Sequence, residues 1–215
     1  MRKNFLKILL LVFVSPIIFN GQRASADTVF HAVPSIVQAP TGKWSDSRLR
    51  DGCEEASILM VMLWAQGRGV TAAEAEAEIL GMAQFEKDVM IGFHNDTSAD
   101  DTARLMREYY GFANLSVQKN ISAQHIKEAL SGGSIAIVPL NISAFGRKYY
   151  KNSVTRHTVV VAGYDEASQT FIINDPLFWT PRRIKEKDLQ NALRNYTSGA
   201  RGKLLKSSAM IVVSK

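Results

Sequence analysis

The sequence is poor in the residues that staple or anchor a chain. It holds one cysteine, Cys53, so no disulfide can form within it and a disulfide scaffold is excluded. Its apolar run Ile8 to Phe19 is shorter than the roughly 20 residues that span a bilayer. Internal repeats and low-complexity tracts are missing. Basic residues form no stripe interleaved with aromatics, which argues against nucleic acid as a partner. The histidines His31, His94, His125 and His157 lack the spacing of a zinc site. What remains is ordinary: 215 residues, 46% hydrophobic and 21% charged, the make-up of a globular chain with a sizeable core.

Arg2, Lys3 and Lys7 precede that apolar run, and Ala24-Ser25-Ala26 supplies small residues for cleavage. Residues 1–26 therefore read as a signal peptide and 27–215 as one domain, secreted or periplasmic, with no stable membrane anchor after cleavage. Arg23 adds a fourth base to the leader and no acid lies before Asp27, so most of the net charge of +6 leaves with it. In an oxidising compartment the lone thiol must be buried, paired externally or reactive. The oligomeric state is not written in the sequence.

Asp27 to Gly52 is polar, broken by Pro34, Pro40 and Gly42, with a short strand expected at Val33 to Gln38. Apolar residues at helical spacing predict a helix from Cys53 to Gln66, with Glu54 and Glu55 in its first turn. Thr71 with Glu74 has the capping-box pattern, Ser98 with Asp101 opens a helix over Ala99 to Tyr110, and Ser122 opens another ending at Gly132-Gly133. Beyond these, β-branched runs at Ile135–Leu140, Thr158–Tyr164, Thr170–Asn174 and Ala209–Val213 read as strands, interrupted by a helix at Lys187–Tyr196. The fold class is α+β, a helical half followed by a mainly antiparallel half.

This arrangement sets Cys53 at a helix N-terminus, where the dipole favours thiolate and predicts fast alkylation at neutral pH. Glu54 and Glu55 oppose that effect unless they point into solvent or meet a cation. His157 opens one strand and Asp175 ends the next, so an antiparallel pair turning near Asp165 to Gln169 brings base and carboxylate together. Asn174 is the fallback partner. Gln38 is the candidate side-chain donor to an oxyanion, beside the Cys53 amide. Trp44 and Trp179 either wall a cleft or pack inside; His31, His94 and His125 are assigned to surface or packing.

The blocks Val33-Pro34 to Gln38-Ala39-Pro40, Trp44, Asp51-Gly52-Cys53-Glu54-Glu55-Ala56-Ser57, Arg156-His157 to Tyr164-Asp165 and Ile173-Asn174-Asp175-Pro176 resemble those of papain-fold peptidases related to the bacteriocin-leader-processing enzymes. The resemblance spans nearly the whole chain after the leader. It implies a papain-like fold with the nucleophile helix packed on an antiparallel sheet, and no metal or organic cofactor. It also implies Cys53 as nucleophile, His157 as base, Asp175 as third member and Gln38 as oxyanion donor. Many members have Gly-Pro after the cysteine where this chain has Glu54-Glu55, and Gly before the histidine where it has Arg156. The expected partner is a peptide or protein substrate cut through an acyl-enzyme. The alternatives are a binding module that keeps the fold without the chemistry, and a transglutaminase-like acyl transferase.

Overall fold

The computed structural model describes residues 28–90, 96–150, 155–199 and 202–215. The expected leader and His94 lie outside them. Among the described residues the strands β1 (Thr28–Phe30), β2 (Leu115–Lys119), β3 (Ile135–Asn141), β4 (Arg156–Asp165), β5 (Thr170–Asn174), β6 (Arg182–Lys185) and β7 (Ala209–Val213) make one sheet. Its order is β2-β7-β3-β4-β5-β6, with these strands paired antiparallel and β1 joining β4 beyond the end of β3. The helices are α1 (Ser47–Arg50), α2 (Cys53–Gln66), α3 (Ala72–Val89), α4 (Ala99–Tyr110), α5 (Ala123–Ser131) and α6 (Glu186–Ala192).

Alternation along the central strands divides the apolar side chains between two cores. Ile135, Ile137, Val160 and Ala162 face a core shared with α2, α3 and α4, whereas Ala136, Val138, Val159 and Val161 face one shared with α5 and α6. The sheet is therefore covered on both faces, and α5, which belongs to the helical half of the sequence, lies across the sheet from α2. β1 and β2, also from that half, are built into the sheet. The segment expected as a strand at Val33 to Gln38 is not one. It runs past the end of β5 and is held by single bonds, such as that from the Gln38 amide to the Pro176 carbonyl at 2.9 Å.

Helix α2 is buried on every face over residues 53 to 64, because it lies between the sheet and the α3–α4 pair. Ile58, Leu59, Met60 and Leu63 are almost fully covered, and full burial of such a side chain stabilises by roughly 1.5–3 kcal/mol. That packing fixes the helix, and with it the position of Cys53. Gly52, the residue before it, sits so close to α1 that a Cβ there would stand 2.6 Å from the Arg48 carbonyl oxygen. On β4 the register shifts between Val161 and Gly163, and a Cβ on Gly163 would stand 2.5 Å from the Val29 carbonyl, so glycine lets β1 close on the strand. The capping box at Thr71 and Glu74 forms as the sequence predicts, and Ser98 accepts from the Asp101 amide.

Candidate active site

His157 is the second residue of β4 and Asp175 directly follows β5. With Val160 opposite Asn174, the register brings the start of one strand beside the end of the other. The His157 Nε2 lies 2.6 Å from Asp175 Oδ1, and both side chains are buried. Asp175 also accepts from the Tyr150 hydroxyl at 2.6 Å on Oδ2 and from the Leu177 amide at 2.9 Å on Oδ1. Burial alone would raise this carboxyl, but the imidazole, the tyrosine and the amide together hold it below the ordinary 3.8. The Tyr150 ring meets the imidazole edge-on at 6.0 Å.

A second tyrosine fixes the backbone. The Tyr196 hydroxyl enters the β3–β4 ladder at the Leu140–His157 pair, accepting from the Leu140 amide at 2.8 Å and the His157 amide at 2.9 Å. It lies 2.7 Å from both their carbonyl oxygens. No spacing in the sequence marks Tyr150 or Tyr196, because each acts through a contact made by distant chain segments.

The α2 helix meets β4 through Thr158, the residue after the histidine. Ser57 Oγ donates to the Thr158 carbonyl at 3.3 Å, Thr158 Oγ1 donates to Glu54 Oε1 at 3.3 Å, and the Thr158 amide donates to the Cys53 sulfur. Alternation sends Thr158 toward α2 and the His157 side chain the other way, to Tyr150 and Asp175. Among the described residues no hydrogen bond joins sulfur to imidazole. The Cys53 thiol donates to Glu54 Oε2 at 3.0 Å instead.

The expected dipole-activated thiolate is therefore corrected. Burial raises the Cys53 thiol well above its ordinary range, the Glu54 charge and hydrogen bond add to this, and the Thr158 amide only partly offsets them. Glu54 and Glu55 do not point into solvent; they are 2% and 4% exposed. Burial pushes the Glu54 carboxyl up to about 7, and Glu55 is also raised well above the ordinary carboxylate range, by burial first and by the nearby Glu86 second. Fast alkylation of the resting thiol does not follow from such a site.

Gln38 is buried, not a solvated loop residue. Its Nε2 donates to the Arg50 carbonyl, and its Oε1 has no partner among the described residues. Asn174, the fallback for Asp175, is committed elsewhere, donating to the Val33 carbonyl at 2.8 Å and to Ser35 Oγ at 3.0 Å. Trp44 and Trp179 are 42% and 61% exposed, which removes the packing role for both. His31 bonds the Leu130 carbonyl and meets Trp64 edge-on, and His125 caps α5 through Ser122.

Comparison with known proteins gives this arrangement its place. The crystal structure of a C39-like peptidase candidate from Bacillus anthracis superposes with a TM-score of 0.55 at 18% identity, covering 88% of this chain and 98% of the other. At that identity the likeness speaks for the fold, which is α+β and papain-like. No curated protein matches the chain. The Peptidase_C39 like family matches residues 30–201, a span running from β1 past Tyr196 and taking in the Cys53 helix, His157 and Asp175; the chain belongs to that family.

Proposed function

We propose that the protein is an exported cysteine peptidase that cuts peptide or related amide bonds through an acyl-enzyme. Cys53 is the nucleophile, His157 the base and Asp175 the group that orients it. One observation carries this reading: Nε2 of His157 is tied to Asp175 at 2.6 Å, while the sulfur lies against the backbone of the very next residue on the same strand. With Nε2 occupied, Nδ1 is the imidazole nitrogen left for the thiol. The Cys53 amide at the N-terminus of α2 and the Gln38 side-chain amide supply the oxyanion donors. The leader pattern supports a secreted or periplasmic location, and a peptide or protein is the partner.

The test is digestion of a broad peptide library, read by mass spectrometry. Wild-type protein is expected to give defined cleavages that disappear in Cys53→Ala and in His157→Ala, with circular dichroism unchanged. Cleavage that survives in Cys53→Ala would overturn the assignment. Amine adducts in place of cleavage would mark an acyl transferase, since the same acyl-enzyme can be intercepted by an amine.

A second reading has one observation in its favour, the hydrogen bond that ties the buried thiol to Glu54. In it the chain is a binding module that keeps the fold without turnover. Cys53→Ala would then retain full partner binding, and the library would return uncut.

A further inference from the structure

We infer that Glu54 acts directly on the nucleophile: its carboxylate is the group that holds Cys53 as a thiol in the resting enzyme, and the sulfur must exchange Glu54 for His157 before it can attack. The inference deepens the peptidase reading given above and rests on it for the second half of the exchange.

The geometry is specific. Glu54 follows Cys53 in the first turn of α2, yet its carboxyl does not extend to solvent. One oxygen receives the thiol at 3.0 Å and the other receives the Thr158 hydroxyl at 3.3 Å. Thr158 is thus the anchor that aims the carboxylate at the sulfur, and the same residue lends its amide to the sulfur. A thiol that donates to a carboxylate loses that bond on ionising and gains a like charge 3 Å away, so the contact favours S–H over S⁻. The surroundings do not cancel the effect. The charged or titratable groups acting on Glu54 from packed elements are Glu55, Glu86, Asp96, Arg156, His157 and Tyr196. Arg156, the one permanent cation among them, is engaged with Asp96 at 2.9 Å, and the His157 ring is engaged with Asp175.

The step balances as follows. When a peptide enters, the S–H bond breaks and its proton goes to Nδ1 of His157, freeing the thiolate pair to form the bond to the acyl carbon. The imidazolium then gives that proton to the departing amine. Water hydrolyses the acyl-enzyme, its hydroxyl going to the acyl carbon and its other proton returning through His157 to sulfur, which turns back to Glu54.

The experiment follows iodoacetamide alkylation of Cys53 by mass spectrometry between pH 5.5 and 9, so it does not depend on any substrate. Glu54→Gln is expected to alkylate about tenfold faster than wild type at pH 8 or above. The gap is expected to close below about pH 6, where the wild-type carboxyl, with its value pushed up to about 7, is itself uncharged. Thr158→Val, which keeps the charge but removes its anchor, is expected to alkylate roughly two- to fivefold faster at pH 8 and decides the matter if Glu54→Gln does not fold. Equal or slower alkylation in these variants across the range, or a gap independent of pH, would overturn the latch. If alkylation accelerates and the peptide library still returns uncut, the latch stands and the peptidase reading fails, so the two are separable.

Discussion

The Tyr196 hydroxyl takes the place of a direct β3–β4 hydrogen bond at His157, standing 2.9 Å from its amide nitrogen and 2.7 Å from its carbonyl oxygen. Four buried backbone groups, two from His157 and two from Leu140, converge on this one oxygen. Removing it while keeping the ring leaves those groups short of partners and lets the start of β4 shift. Tyr196→Phe is expected to lower stability by about 1–3 kcal/mol in urea unfolding. It is also expected to lower kcat for peptide cleavage with KM little changed, because the histidine backbone moves while the rest of the site stays.

Tyr150→Phe removes one of the three donors that keep Asp175 ionised. The folded pKa of Asp175 lies below the unfolded value, so its contribution to stability is present above about pH 4 and is lost as pH falls through the folded value. With one donor gone, the acid unfolding midpoint is expected to rise by roughly half a pH unit or more. Thermal melts from pH 2 to 6 check this.

Glu55 and Glu86 meet across the α2–α3 contact within hydrogen-bonding reach. Burial first, and the neighbouring anions second, push Glu86 up to about 8 and Glu55 also upward. A carboxyl raised on folding stabilises fully below its ordinary 4.5 and loses that contribution as pH rises through the folded value. Stability is therefore expected to fall between about pH 5 and 8. Glu86→Gln is expected to flatten that slope and to gain on the order of 1–3 kcal/mol at pH 8, measured by urea unfolding at several pH values.

Gln38→Ala removes a side-chain donor next to the Cys53 helix. If its amide serves the oxyanion, kcat is expected to drop on the order of 10² to 10³-fold with KM little altered. Because Gln38 also donates to the Arg50 carbonyl, Gln38→Glu is a useful partner variant, retaining the side-chain bulk without the amide donor.

Local chemistry made much of this architecture readable in advance. The Thr71–Glu74 box, the serine starts at Ser98 and Ser122 and the β-branched run Thr170–Asn174 carry their own structural preference, and each appears where the sequence puts it. The weak strands Leu115–Lys119 and Arg182–Lys185 escaped because they are half polar and owe their extended form to the neighbours they pair with, β7 and β5. The run Val33 to Gln38 failed in the opposite sense, having strand-like residues but no strand partner.

For the site, the sequence by itself determined the chemistry at hand: one thiol at a helix start, an acid beside it, and a histidine and aspartate at the paired ends of two strands. Only the tertiary structure decided which of these groups touch. Whether Glu54 reached solvent or sulfur depended on where Thr158 fell, and that was set by packing α2 against β4. Charge next to charge is legible along a chain, but burial, which sets how strongly those charges act, exists only once the layers close.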